Sequence, residues 1–91
     1  MQILDLDVRG LSHPEPLERS VAMFARLGAG IVMRLHIHRL PTPLLQIAQS
    51  RGIEYGVCRR SDEYYLILFS TDASIDPQRL AREACEEMGD V

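Results

Sequence analysis

The chain has 91 residues, which suffice for one hydrophobic core but leave no room for a large enclosed active site. It has ten basic residues, all of them Arg, and thirteen acidic ones, which give a formal net charge of −3. This negative charge argues against a dedicated nucleic-acid binder. The sequence shows neither a secretion signal nor an apolar run of membrane-spanning length, so we expect a cytoplasmic protein without a membrane partner.

Two strand–helix units are predicted in the first half of the chain. Residues 3–8 alternate apolar and acidic side chains, the pattern of a half-buried strand. A His-Pro-Glu-Pro segment then opens a helix that ends at Gly28, since prolines are tolerated in a first turn and glycines favour helix ends. Residues 31–38 form a second strand, and a second helix with Thr42 as its N-cap runs to about Ser50.

A hairpin and a third helix are predicted in the second half. Two strands at 53–59 and 64–70 flank a four-residue turn. The second of them is apolar on both faces, so it should lie centrally in the sheet. A third helix covers about 77–88, between Asp76 as N-cap and a stop at Gly89.

This element order predicts an α/β two-layer sandwich. It contains a β-α-β-α-β-β mixed four-stranded sheet with an added C-terminal helix, and we expect a single domain over 1–91 with its core at about 3–70. Right-handed crossovers place both early helices on one face of the sheet. We expect the third helix or a second subunit to cover the other face, which makes the protein a monomer or a homodimer through that face. The residues that we expect this contact to bury are Tyr65, Ile67 and Phe69 on the last strand and Leu80, Ala81, Ala84, Cys85 and Met88 on the helix.

The two cysteines, Cys58 and Cys85, are too few and too distant in sequence for a disulfide framework. We expect them to be buried, unreactive thiols, as in a reducing compartment. A redox pair is the alternative if the third helix folds back over the sheet.

The segment at 6–16, Leu-Asp-Val-Arg-Gly-Leu-Ser-His-Pro-Glu-Pro, resembles the opening of the TusA/SirA-like sulfur-carrier superfamily. That family begins with a strand, an Arg-Gly-Leu turn and Cys-Pro-x-Pro at its first helix, and the resemblance extends over about 3–70. In this chain His13 stands where the family has its cysteine. A sulfur carrier needs a thiolate, so persulfide relay at this position is excluded.

The chain resembles more closely a cysteine-less branch of that superfamily, the domain of unknown function 2249. The Asp-x-Arg-Gly-Leu…Pro-Glu-Pro opening carries this resemblance, together with a His-rich strand end at 36–44, His-Ile-His-Arg-Leu-Pro-Thr-Pro-Leu. It implies the fold and a protein of bacterial type, and that branch has no settled biochemical role.

Five residues are candidates for a ligand-binding site: Arg9, His13, Glu15, His38 and Arg39. All five lie near the C-terminal ends of the two parallel strands, where the N-termini of both early helices also lie. Open α/β sheets bind ligands at this edge, and helix N-termini favour anions. We expect a small anionic ligand or an acidic group of a partner protein.

The three histidines, His13, His36 and His38, are weaker candidates for a transition-metal site. Residues two apart on a strand share a face, and three imidazoles suit zinc, copper or iron. The alternative is that His36 packs under the third helix with a satisfied hydrogen bond and His38 is solvated. We expect no cofactor other than such a metal.

These observations favour a non-catalytic accessory or carrier-like module over an enzyme, because no nucleophile–base–orienter set and no phosphate-binding glycine loop is evident. The first alternative is a metal or redox-handling protein using the three histidines. The second is a sulfur-transfer protein using a cysteine outside the family motif.

Overall fold

The computed structural model describes residues 1–62 and 64–88. The elements follow the predicted order, and the sandwich with its added C-terminal helix is confirmed. The predicted stop at Gly89 and the turn residue Glu63 lie outside the described residues. The elements are β1 (Gln2–Asp7), α1 (Glu15–Phe24), β2 (Ile31–Ile37), α2 (Thr42–Ser50), β3 (Glu54–Ser61), β4 (Tyr64–Ser70) and α3 (Pro77–Met88).

The sheet has four strands in the order β1-β2-β4-β3. β1 and β2 are parallel, with Leu4 opposite Met33, and the pairs β2–β4 and β3–β4 are antiparallel. β4 is therefore central, as its apolar sequence predicts, and its residues from Leu66 to Ser70 are all buried.

Both early helices pack on one face of the sheet, as right-handed crossovers require. This face holds the main hydrophobic core, in which the rings of Phe24 and Phe69 meet edge to face with their centroids 5.0 Å apart. The odd-numbered residues of β2 and β4 point into this core because strand side chains alternate between faces. Its buried members are Val8, Phe24, Met33, Leu35, Ile37, Leu44, Leu45, Ala48, Ile53, Ile67 and Phe69.

The third helix covers part of the second face, over β3 and β4. A smaller apolar cluster there contains Val32, Cys58, Leu66, Leu68 and Ala81. The expectation of a covered second face is thus met by α3, but the prediction of which side chains it covers was wrong. Ile67 and Phe69 belong to the main core, because the register of β4 points its odd-numbered residues toward α1 and α2.

The start of α3 is held tightly against β3. A Cβ atom on Gly56 would overlap the backbone of Pro77 and Gln78, so only glycine permits this approach. Asp76 caps the helix as predicted, since its Oδ1 accepts from the amide of Gln78 at 3.0 Å. The predicted Thr42 cap was wrong, because α2 begins at Thr42 itself and has no side-chain cap.

Cys58 and Cys85 form a disulfide, with their Cα atoms 5.7 Å apart. The expectation of two free, unreactive thiols was therefore wrong, and neither cysteine is free. Sequence distance misled here because α3 folds back over β3 and brings positions separated by 27 residues together. The bond joins the sheet to the last turn of α3. The side chain of Met88, predicted to lie in the same stripe, is outside the described part of the chain.

Candidate functional site

A cavity of about 310 Å³ lies between the starts of α1 and α2 and the end of β2. Three of the five predicted site residues, His13, His38 and Arg39, line it together. The His13–Pro14 peptide bond at its rim is cis. The remaining walls are apolar: Pro16, Leu17, Ile37, Leu40, Pro41, Pro43 and Leu44. An apolar cavity with a few converging polar groups is the usual form of a small-molecule site.

His38 reaches this cavity because β2 ends at Ile37. Beyond that residue the alternation of a strand no longer applies, and the half-buried His38 side chain lies beside Leu44 of α2. Its Nδ1 atom is buried and has no hydrogen-bond partner among the described residues, whereas the side chain as a whole is partly exposed, so the alternative of a solvated His38 holds only in part. A buried polar atom without a partner is uncommon and costs free energy. A rotation of the imidazole that turns Nδ1 toward a ligand in the cavity would remove this cost.

Arg39 lies on the rim of the same cavity and is exposed. It forms no ion pair within residues 1–62 and 64–88. A second cavity of about 390 Å³ adjoins it on the other side, lined by His38, Arg39, Leu40, Asp62 and Tyr65. The guanidinium is thus available to a ligand in either cavity.

The two helix starts differ in charge. α1 carries Glu15 and Glu18 in its first turn, whereas α2 has no acidic residue there. Neither helix has a side-chain cap within residues 1–62 and 64–88. In α2 the amides of Thr42 and Leu45 already bond to the carbonyls of Leu40 and Pro41, and Pro43 has no N–H, so the Leu44 amide is the first-turn donor left for a ligand. An anion in this cavity is therefore favoured at the start of α2, next to Arg39.

The other two predicted site residues do not line the cavity. Glu15 is exposed and lies 3.8 Å from Arg19 one turn along α1. Arg9 binds Asp7 instead, with Nε 2.9 Å and Nη2 2.6 Å from its two carboxylate oxygens, and its guanidinium lies 4.5 Å from the centre of the Tyr64 ring. Arg9 therefore belongs to the second face of the sheet.

The bidentate bond from Arg9 also lowers the pKa of Asp7 to about 2. Charge-assisted pairs of this geometry favour the ionised carboxylate. The same bond raises the pKa of Arg9.

A polar network continues from Tyr64 along the second face. His36 lies between two oxygens, with Nδ1 2.7 Å from the Tyr64 hydroxyl and Nε2 2.8 Å from Asp5 Oδ1. Arg34 Nε donates to the same Asp5 oxygen at 2.7 Å. Burial raises the pKa of Asp5, but the hydrogen bonds from Arg34 and His36 outweigh it and hold that pKa below its ordinary value.

This network is a carboxylate–imidazole–phenol chain. A carboxylate only accepts, so in neutral His36 the proton is on Nε2 and Nδ1 accepts from the Tyr64 hydroxyl. The arrangement orients the imidazole as a base toward Tyr64. Strand alternation indicates that Asp5 and His36 share a face, but the sequence reveals no signal for Tyr64, whose position depends on the β2–β4 register.

The three histidines do not gather into a metal site. His36 uses both ring nitrogens on the second face, while His13 and His38 line the cavity on the helix side. No group of three or more His, Cys, Asp or Glu side chains among the described residues is arranged to hold a metal ion. The His36–His38 spacing misled because the strand ends between the two residues.

None of the helices in the described part of the chain is long and apolar enough to cross a membrane. No curated protein and no solved structure matches the chain. The family model of an uncharacterized conserved protein, DUF2249, matches residues 5–71. The match begins within β1, includes β2, β3 and β4, and ends before α3. Because it includes most of the sequence, the chain belongs to the DUF2249 family.

Proposed function

We propose that this protein is a non-catalytic, carrier-like module that binds a small anionic ligand, or an acidic group of a partner protein, at the start of α2. The observation that carries the proposal is the meeting of His13, His38 and Arg39 in one cavity of about 310 Å³. Arg39 supplies the charge, the half-buried His38 supplies an imidazole on the cavity wall, and the first turn of α2 supplies the Leu44 amide.

The apolar walls narrow the ligand class. Leu17, Leu40 and Leu44 surround the polar groups, so a compact carboxylate with a short aliphatic body fits both parts of the cavity better than a bare inorganic anion. Burial of each methylene of such a body contributes about 0.8 kcal/mol. An acidic side chain of a partner protein offers the same chemistry.

The relationship of this chain to a wider superfamily is also part of the proposal. We infer descent from the bacterial-type TusA/SirA-like sulfur carriers, with His13 at the position of their cysteine. The shared strand–helix order and the Arg-Gly-Leu turn support it. Both cysteine sulfurs are joined in a disulfide, so sulfur transfer would first need reduction of this bond, whereas the cavity needs no such step; the binding role is therefore favoured.

A cytoplasmic location is also part of the proposal. Disulfides are rare in reducing compartments, where those present are usually transient. Rapid alkylation of thiols in intact cells, before lysis, tests the location. A chain whose Cys58 and Cys85 are alkylated in part supports the cytoplasm, and one fully protected as the disulfide contradicts it.

The binding test is a titration of the ¹⁵N-labelled chain with acetate, butyrate, phosphate and an acidic Glu-Leu peptide, followed by amide chemical shifts. We expect saturable shifts at residues 13, 38–40 and 44, with butyrate bound more tightly than acetate. Arg39→Ala should weaken binding by about 10- to 150-fold, because a hydrogen bond to a charged group contributes about 1.5–3 kcal/mol.

Arg51→Ala is the matched control. Arg51 is an exposed arginine at the C-terminal end of α2, so its removal changes the net charge equally without touching the cavity. Equal weakening by both variants would show non-specific charge attraction and reject the site. Absence of shifts around the cavity with every probe would reject it as well.

A further inference from the structure

We propose that Cys58–Cys85 is a redox-active disulfide that a dithiol reduces, and that its reduction releases the last turns of α3 from the sheet. The proposal concerns the second face and is independent of the anion site. It assigns to this disulfide a thiol–disulfide exchange activity with a small or protein-borne dithiol as co-reactant.

The contact between α3 and the sheet becomes less buried toward the C-terminal end of the helix. Pro77 and Ala81 are buried, while Leu80, Ala84 and Cys85 are only partly buried. The outer side of the helix is polar, with Arg79 paired to Glu83 at 3.0 Å. A helix of twelve residues is marginal in isolation, so α3 needs its attachments to the sheet, and the disulfide is the covalent one near its C-terminal end.

The two ends of α3 are held differently. Pro77 is fully buried and packs on Gly56 at the start, where Asp76 also caps the helix. Near the other end the attachment is Cys85, whose Sγ also approaches the Arg59 carbonyl oxygen at 4.0 Å. Cleavage of the disulfide therefore frees the C-terminal turns and leaves the first turn in place.

The two sulfurs differ in accessibility. Cys58 is 1% exposed within the second-face cluster, whereas Cys85 is only partly buried. Thiol–disulfide exchange requires access of a thiolate to one sulfur. Cys85 Sγ is therefore the sulfur attacked, and Cys58 is the leaving thiol.

The exchange balances in two steps. One sulfur of the dithiol bonds to Cys85 Sγ, the Cys58–Cys85 bond breaks, and Cys58 takes a proton. The second sulfur of the dithiol then displaces Cys85, which takes the other proton, and the dithiol leaves as a cyclic disulfide. Two electrons and two protons pass from the dithiol to the protein.

Release uncovers part of the second-face cluster, namely Val32, Leu66, Leu68 and the Cys58 thiol. The family match ends at residue 71, so the covering helix and one of the two sulfurs lie outside the family domain. The helix α3 is therefore a releasable cover over a face of the sheet that the family domain alone does not cover.

The test combines thiol counting with hydrogen exchange on the full chain, equilibrated in oxidised and reduced dithiothreitol without denaturant. We expect no alkylated cysteine in the oxidised protein and two in the reduced protein. Amides at 82–86 should exchange at least tenfold faster after reduction. In the reduced protein they should also exchange faster than those of α1, whose exchange rises only through the loss of global stability.

The variant Cys58→Ala/Cys85→Ala should exchange rapidly at 82–86 with or without dithiothreitol, which separates loss of the bond from any other effect of the reductant. Three results would overturn the proposal. They are two free thiols in the unreduced chain, a disulfide that the dithiol reduces only in denaturant, and unchanged protection of α3 in the reduced protein.

Discussion

At the scale of single residues, hydrogen-bond partners decide which polar side chains can serve a ligand. Arg9 has the charge expected of an anion-binding residue, but Asp7 accepts from it twice. Arg39 has the same chemistry and no ion pair in the described residues. The two arginines are thus distinguished by their neighbours and not by residue type.

The Asp7–Arg9 pair predicts a pH-dependent contribution to stability. The pKa of Asp7 is lowered to about 2 in the folded chain, so its contribution is complete above its unfolded value of about 3.9 and is lost as the pH falls toward 2. Asp7→Asn should lower the free energy of unfolding by about 1 kcal/mol or less at pH 7, because the side chain is 47% exposed and solvent screens the pair. Urea unfolding of both proteins from pH 7 to pH 2 measures this difference.

Asp62→Asn controls for the change in net charge, since it removes a carboxylate whose side chain is 95% exposed. This variant should match the wild type within about 0.3 kcal/mol. A gap between Asp7→Asn and wild type that persists unchanged at pH 2 would show that the effect is not ionic.

At the scale of elements, helix starts illustrate how far local sequence predicts structure. Asp76 precedes a proline and an amphipathic run, and its carboxylate caps α3 with bonds to the amides of Gln78 and Arg79. Thr42 has an equally suitable side chain but lies inside α2. A suitable residue type therefore does not establish a cap. The path of the backbone into the helix decides whether the side chain can accept a hydrogen bond from an amide of the first turn.

The docking of α3 makes Gly56 intolerant of any side chain. A Cβ atom there meets the backbone of Pro77 and Gln78, which cannot move as a flexible side chain would. Gly56→Ala should therefore lower the free energy of unfolding by about 1–3 kcal/mol, as overpacking does. Thermal or denaturant unfolding measures the loss.

Gly28→Ala is the matched glycine substitution, because nothing lies within 4 Å of a Cβ atom at that position and its backbone is not left-handed. It should change stability by less than about 1 kcal/mol in either direction. Equal losses in the two variants would mean that the contact of α3 with β3 does not constrain Gly56.

At the scale of the whole molecule, one sheet separates two unequal apolar clusters. The main core under α1 and α2 contains buried residues from four elements and the loops between them, with partly buried residues of β1 and β3 packed against it, whereas the cluster under α3 is small. Folding of the sheet and its two early helices should therefore depend little on α3, while α3 depends on the sheet and on the disulfide.

The disulfide should raise the free energy of unfolding, because it lowers the conformational entropy of the unfolded chain. It closes a loop with a sequence separation of 27 residues, for which loop-closure entropy predicts about 3–4 kcal/mol. Guanidinium unfolding of the oxidised and reduced proteins should differ by this amount. The Cys58→Ala/Cys85→Ala variant should show no dependence on reductant, and an oxidised protein no more stable than the reduced one would contradict the prediction.

Three features could be predicted from the sequence: the element order, the face on which the early helices pack, and the meeting of His13, His38 and Arg39 at one edge. These features follow from hydrophobic periodicity and crossover handedness, which act over short stretches of chain. Three contacts appear only in the folded chain: the bond of Cys58 to Cys85, the hydrogen bonds of His36 to Asp5 and Tyr64, and the position of Arg9 over the Tyr64 ring, away from the cavity edge. Those contacts depend on strand register and on the path of α3, for which no local pattern in the sequence specifies the partner.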